Sequence, residues 1–248
     1  MTGSVAIVTG ASRGIGRATA LAAAARGYKV VVGYASNKTA ADEVVALIGK
    51  SNGKAIAVKC DVGSEADILD LYKQADAFGP LGALVNNAGV VDLTARVDEM
   101  SAERLHRMMN INVIGNILCA REAVKRLSTR HGGKGGVIVN LSSVASTLGS
   151  PAQYVDYAAS KGAIDTFTLG LAREIASEGV RVVAVRPGLI DTDIHASGGE
   201  PDRAHRLAHN VPMKRVGQAE EIANAIVWLM SDEASYVTGT IIDVSGGR

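Results

Sequence analysis

Short runs of Val, Ile, Ala and Leu recur along the chain, each followed by a longer stretch in which apolar positions return every three or four residues. The runs at 5–9, 29–33, 55–59, 83–86, 137–141, 181–185 and 240–244 are predicted strands. Most are too uniformly apolar for a strand with one wet face, so both faces are expected to be covered. The stretches at 15–26, 39–50, 65–78, 102–129, 154–178 and 219–230 carry the helical period. Strict alternation of strand and helix predicts an α/β fold: a doubly wound parallel sheet of about seven strands, with helices on both faces and right-handed crossovers.

No Ser/Pro/Gly linker and no fixed-period repeat interrupts this pattern, so residues 1–248 are expected to form a single domain. The glycine cluster at 131–136 reads as a loop ending a long helix. The segment at about 189–215 fits neither element and carries Gly198, Gly199 and Pro201. A long insertion near the carboxyl ends of the strands is where such a sheet binds ligands, so a substrate lid is expected; a variable surface loop is the other reading.

Apolar residues make up 47% of the chain and aromatics only 4%, the composition of an Ala/Val/Ile/Leu core. Net charge is +1, with no basic run, which argues against a nucleic-acid partner. Cys60 and Cys119 lack zinc-ligand or CxxC spacing and read as small core residues in a reducing compartment. The start MTGSVAIVTG lacks a secretion signal's pattern, and no apolar run approaches the ~20 residues that span a bilayer. No membrane association and a cytoplasmic location are therefore expected. His205 and His209, four apart, lack a third ligand nearby, so no metal site is expected. The absence of a Gly-x-Ser-x-Gly elbow leaves hydrolase chemistry unsupported.

The first strand runs into VAIVTGASRGIGRA, a buried strand, a Gly-rich turn and a helix start. Gly10 permits backbone angles that a side chain would forbid, and Gly14 and Gly16 permit close approach of a phosphate. The helix beginning near Ile15 offers free amides and a positive dipole end. In this position the turn points to a dinucleotide, although its spacing is G-x-x-x-G-x-G rather than G-x-G-x-x-G.

TGASRGIG at 9–16, NNAG at 86–89, NLSS at 140–143, YAASK at 157–161 and RPGLIDT at 186–192 occur in the order and spacing of the short-chain dehydrogenase/reductase family. The chain resembles that family over essentially its whole length, ending in VTGTIIDVSGG. The resemblance implies a Rossmann-type fold and a nicotinamide-dependent oxidoreductase that interconverts a carbonyl compound and a secondary alcohol. It implies cofactor contacts at Gly10, Ser12, Arg13, Gly14, Ile15, Gly16, Lys38, Val62, Tyr157, Lys161, Pro187, Gly188, Ile190 and Thr192. Asp61 resembles the family's adenine-edge contact, and Asn87, Ala88 and Gly89 its wall beside the adenosine ribose. A homotetramer, built on helix 102–129 and the YAASK helix, is implied in the same way.

After the second strand, none of residues 33–38 is acidic, so no carboxylate is available for an adenosine 2′-hydroxyl. Arg13 and Lys38 can face a 2′-phosphate instead, although as isolated residues they also read as solvated charges. NADP(H) is therefore expected to be preferred, with NAD(H) possible.

Tyr154, Tyr157 and Lys161 can share one helix face. Four residues of helix rise about 6 Å and seven about 10.5 Å, so Tyr157 is the tyrosine expected to work with Lys161. A phenol with a pKa of about 10 is a poor proton partner at neutral pH, and a nearby ammonium favours its phenolate. Tyr157 is the expected proton donor and acceptor, with Lys161 holding the nicotinamide ribose and stabilising the phenolate. Tyr154 is expected to line the entrance or pack against the preceding loop. Ser142 and Ser143 alternate across the strand, and the family pattern selects Ser143 as donor to the substrate oxygen. Asn112, in NINVIG, resembles the asparagine that fixes a water beside the active lysine; on composition alone it reads as a polar helix residue.

The YAASK stretch also suits close helix packing through Ala158, Ala159, Gly162 and Ala163. Substrates from small carbonyl compounds and sugars to acyl-carrier thioesters stay open. Glu178 stands where a cation is expected in an acyl-carrier-protein reductase, with Lys134 and Arg173 able to compensate. A nucleotide-binding regulator without turnover is the reading from a different class; it would usually lose Ser, Tyr or Lys, and all three are present.

Overall fold

Every residue of the first strand, β1 (Val5–Val8), is fully buried. Ala6 and Val8 join one apolar cluster and Val5 and Ile7 another, the period of two of a strand covered on both sides. Each of the valines and the isoleucine, removed from water, stabilises the fold by about 1.5–3 kcal/mol. A computed structural model describes residues 3–200 and 202–248. Met1 and Thr2 at the start of the sequence, and Pro201 of the expected lid, lie outside the described residues.

The same alternation recurs in β2 (Lys29–Tyr34). With β3 (Lys54–Lys59), β4 (Leu81–Asn86), β5 (Gly136–Leu141), β6 (Val180–Pro187) and β7 (Thr240–Val244), these strands form one seven-stranded parallel sheet ordered β3-β2-β1-β4-β5-β6-β7. The chain winds outward from β1 to β3, then returns to pair β4 with the free side of β1. That reversal opens a crevice at the carboxyl ends of β1 and β4, where the functional loops gather.

Helices α1 (Gly14–Ala25) and α2 (Lys38–Lys50) cover one face of the sheet. The opposite face is covered by α3 (Glu65–Phe78) and, further along, by the long helices of the 102–178 region. There the predicted single helix at 102–129 is broken into α4 (Ala102–Met109), a wider π-type turn at Asn110–Ile114, and α5 (Gly115–Leu127). A Cβ on Gly115 would lie 2.3 Å from the Val62 carbonyl oxygen, so only glycine lets α5 pass that close to the end of β3. A short helix α6 (Ala145–Leu148) follows β5, and α7 (Val155–Ile175) replaces the predicted 154–178. Tyr154 is its N-cap, and its last turn tightens at Ala176–Glu178 before Gly179 reverses the chain.

Between β6 and the final helix lie α8 (Ile194–Ser197) and α9 (Arg203–Arg206), before α10 (Ala219–Leu229) returns to pack on α1. The segment at 189–215 thus has short helical turns and a small core of its own, with Leu189, Ala204 and Val211 buried beside Val216. A parallel bridge from Ile190 to Gly217 closes its base.

Candidate active site

Two consecutive serines at the end of β5, Ser142 and Ser143, both line one cavity, against the expectation that only one faces it, and they take different partners. Ser142 is buried and its hydroxyl donates to the Lys161 carbonyl at 3.2 Å. The Ser143 hydroxyl accepts from the Ala145 amide at 3.1 Å and is hydrogen-bonded to the Tyr157 phenol. Burial pushes Tyr157 above the ordinary phenol range, while the Ser143 bond and the positive charge of Arg203 pull it back.

One turn beyond Tyr157 on α7, Lys161 is 4% exposed. Its Nζ lies 5.6 Å from the Tyr157 ring centre and donates to the Leu141 carbonyl at 2.7 Å. Burial pushes this ammonium down to about 8, against the raising effect of Asp165. The Lys161 ammonium bonds the Leu141 carbonyl, and the pulls on Tyr157 toward the phenolate come from Ser143 and Arg203.

Asn112 sits in the π-type turn with no exposed surface. Its Oδ1 accepts from the Val90 amide at 2.8 Å, and its Nδ2 donates to the Val90 carbonyl at 2.9 Å and to the Ser160 hydroxyl at 3.1 Å. Ser160 in turn donates to the Tyr157 carbonyl at 2.7 Å. One buried amide therefore ties the loop after β4 to the first turn of α7. The widened turn supplies the register, in keeping with the placement of such turns at functional sites. Ser160 was missed by sequence reasoning because it passes for one of the small residues of YAASK.

A second cradle lies around the end of β1. Gly10 and Gly14 have φ of 63° and 53°, in the left-handed region. Nothing caps the start of α1: Arg13 at the N-cap makes no side-chain bond there and the first turn holds no acid, so its amides face the groove. The groove is lined by Gly10, Ser12, Arg13, Gly14, Ile15, Gly16, Asp61, Val62, Asn87, Ala88, Gly89 and Thr192, with Ala35, Ser36 and Asn37 at its far end. Asn87 staples it, donating through Nδ2 to the Thr9 and Gly10 carbonyls at 2.8 and 3.0 Å. The Thr9 hydroxyl accepts from the Asn87 and Ala88 amides at 3.0 Å each. An uncapped helix start, left-handed glycines and a carboxylate-free far end are what a pyrophosphate and a 2′-phosphorylated ribose require, so the residues fit a dinucleotide.

The cations predicted for that ribose differ in placement. Arg13 lines the groove and donates to the Ser197 hydroxyl of α8 at 3.3 Å. Lys38 lies outside the lining on the first turn of α2, with its Nζ 2.6 Å from Asp42 Oδ2.

Between the two constellations is a cavity of about 170 Å³ lined by Asn87, Gly89, Ser143, Tyr154, Tyr157, Lys161, Pro187, Gly188, Ile190 and Thr192. Tyr154 lies at the start of α7 with its hydroxyl 3.1 Å from Thr94 Oγ1, which also donates to Glu200 at 2.9 Å. The lid thus rests on Tyr154. Arg203 and Arg248 also line the cavity, and neither belongs to a recognisable motif. His205 approaches Asp191 at 3.6 Å, and His209 meets the Arg206 carbonyl. Among the described residues no three His, Cys, Asp or Glu side chains converge on a metal position. Glu178 bonds the Ser128 hydroxyl and accepts from Thr129 through its carbonyl, which makes it part of the α7 terminus.

Comparison with known proteins agrees with this geometry. The family model described as enoyl-(acyl carrier protein) reductase matches residues 10–248. The Escherichia coli K12 protein named "Uncharacterized oxidoreductase YgfF" is 56% identical over 99% of this chain and 100% of its own length. A Synechocystis 3-oxoacyl-[acyl-carrier-protein] reductase is 43% identical over 100% of this chain and 97% of its own. Among solved structures, a short-chain dehydrogenase from Burkholderia cenocepacia in complex with NADP superposes with a TM-score of 0.91 at 32% identity, covering 99% of this chain and 98% of that one. A seven-stranded doubly wound sheet, the five motifs clustered at its carboxyl edge and relatives matched end to end establish that the chain belongs to the short-chain dehydrogenase/reductase family of oxidoreductases.

Proposed function

We propose that the protein is an NADP-dependent oxidoreductase that interconverts a carbonyl compound and a secondary alcohol. The observation that carries this reading is the convergence of Ser143, Tyr157 and Lys161 on one cavity beside the groove at the end of β1. When bound, NADPH supplies a hydride to the carbonyl carbon. Tyr157 donates its phenolic proton to the carbonyl oxygen, and Ser143 donates a hydrogen bond to that oxygen as negative charge develops. Lys161 holds the nicotinamide ribose hydroxyls, and Asn112 keeps α7 and the Val90 loop in register.

The preference for NADP is supported by the absence of a carboxylate among Ala35, Ser36 and Asn37, and by Arg13 in the lining of the same groove. The segment at 189–215 serves as the lid of a single domain. A homotetramer is supported by Leu105, Met109, Ile114 and Ile117, apolar yet 38–49% exposed along α4 and α5. The free, buried Cys60 and Cys119 suit a reducing, cytoplasmic setting, and among the described residues no helix is long and apolar enough to cross a membrane.

Reduction of an acyl-carrier thioester is the second reading, favoured by the Synechocystis relative. The test follows NADPH absorbance with a panel of ketones, aldehydes and an acyl-carrier thioester, repeated with NADH. Turnover of at least one carbonyl with NADPH well ahead of NADH is expected. Comparable efficiency with both cofactors would remove the NADP preference; tight NADPH binding with no turnover of any compound would favour the regulator.

A further inference from the structure

The cavity beside Tyr157 has an unbalanced charge. Its lining includes Lys161, Arg203 and Arg248 and contains no aspartate or glutamate. Arg203 reaches in from α9 of the lid with its guanidinium stacked 5.4 Å from the Tyr154 ring centre, and Nη2 donates to Gln153 at 2.8 Å. Its Nε is buried and has no hydrogen-bond partner among the described residues. Arg248 approaches from the end of β7, past Gly188 and Leu189. Neither arginine forms an ion pair among the described residues, although most others near the lid do: Arg206 pairs with Glu200 and Arg215 with Glu221. Burial and the charge of Arg203 both hold Arg248 below the usual guanidinium range, the sign of two cations facing the same space.

A buried guanidinium N–H without an acceptor is costly, and two unneutralised arginines in one cleft repel each other. Both costs vanish when an anion enters, because a carboxylate accepts several charge-assisted bonds from such a pair. The dinucleotide does not supply that anion: neither arginine lines the groove at the end of β1 that suits its phosphates.

We infer that Arg203 and Arg248 form a carboxylate subsite, so that the substrate is a small oxo acid, or the corresponding hydroxy acid, whose carbonyl lies at Tyr157 and whose carboxylate meets the arginine pair. The inference rests on the proposed carbonyl chemistry and narrows its substrate class. The carboxylate takes no part in bond making. Its role is to orient the carbonyl, and because Arg203 comes from α9, it also draws the lid onto the bound substrate.

Matched acid and ester pairs test this. The protein loaded with NADP⁺ is titrated by calorimetry with 2-, 3- and 4-oxo acids of four or five carbons and with the methyl ester of each. At least one acid is expected to bind tenfold or more tighter than its ester. Arg203→Gln should remove that margin while leaving NADP⁺ affinity unchanged, and Arg203→Lys should restore part of it. NADP⁺ affinity and circular dichroism show that the variants fold, and Arg248→Gln provides an independent loss of the margin. Esters that bind as well as every acid, or an acid preference that survives in both Gln variants, would overturn the inference. Absence of NADP⁺ binding, or of turnover with every compound, counts against the proposed function alone; the acid–ester comparison repeated on the free protein still decides this subsite.

Discussion

Replacement of Lys161 by methionine is expected to make the cofactor-free protein more stable and inactive. The ammonium is 4% exposed and donates to the Leu141 carbonyl at 2.7 Å. Burial pulls its pKa from 10.5 to about 8. At about 1.36 kcal/mol per unit, charging this lysine in the fold costs roughly 3 kcal/mol more than in the unfolded chain. Methionine has a similar length and no charge; its gain is reduced by roughly 1 kcal/mol for the lost hydrogen bond, leaving about 2 kcal/mol. For a chain of this size that is a rise in Tm of roughly 4–8 °C at pH 7. The sign with pH follows from the lowered value. The penalty is complete below pH 8, where lysine is charged in both states, and fades as pH rises toward 10.5, where it is neutral in both. Differential scanning calorimetry of both proteins at pH 7, 8, 9 and 10 reads this directly. A methionine variant less stable than wild type at pH 7, or a gap that stays constant from pH 7 to 10, would refute the reasoning.

Ser143→Ala is expected to lower kcat by about 10²- to 10³-fold, as loss of an oxyanion donor does, while Ser142→Ala keeps turnover near wild type because its buried hydroxyl is committed to the Lys161 carbonyl. Steady-state kinetics on the two variants decides between them. Gly16→Ala would place a Cβ 2.4 Å from the Gly10 carbonyl oxygen and 2.5 Å from Asn87 Nδ2. The staple holding the loop must shift, so NADPH affinity measured by fluorescence titration should fall at least about tenfold, with a stability loss of about 1–3 kcal/mol.

The sheet was legible because its five inner strands are largely buried on both sides. Val5–Val8 and Gly136–Leu141 are apolar runs whose neighbours dictate helices, and such patterning needs no tertiary information. The break at Asn110–Ile114 was not legible: NINVIG has the helical period, and only the approach of Val62 to Gly115 and the grip of Asn112 on Val90 widen the turn. Ser143, Tyr157 and Lys161 came from local motifs, and their convergence follows from the β5–β6 pairing. Arg203 and Arg248 escaped notice because each stands in a segment without periodicity, and their common cavity forms only when the lid folds over β6. Lys38 illustrates the converse: a basic residue at the right distance in sequence whose helix turns it toward Asp42.

In the proposed reaction Tyr157, rather than its neighbour three residues earlier, transfers the proton. Tyr157→Phe and Tyr154→Phe are compared for NADPH-dependent turnover and for NADPH affinity. Tyr157→Phe is expected to lose about 10²- to 10⁴-fold in kcat with NADPH affinity nearly intact, while Tyr154→Phe, which loses its contact with Thr94, keeps most of its turnover. Full activity in Tyr157→Phe with collapse in Tyr154→Phe would overturn the assignment.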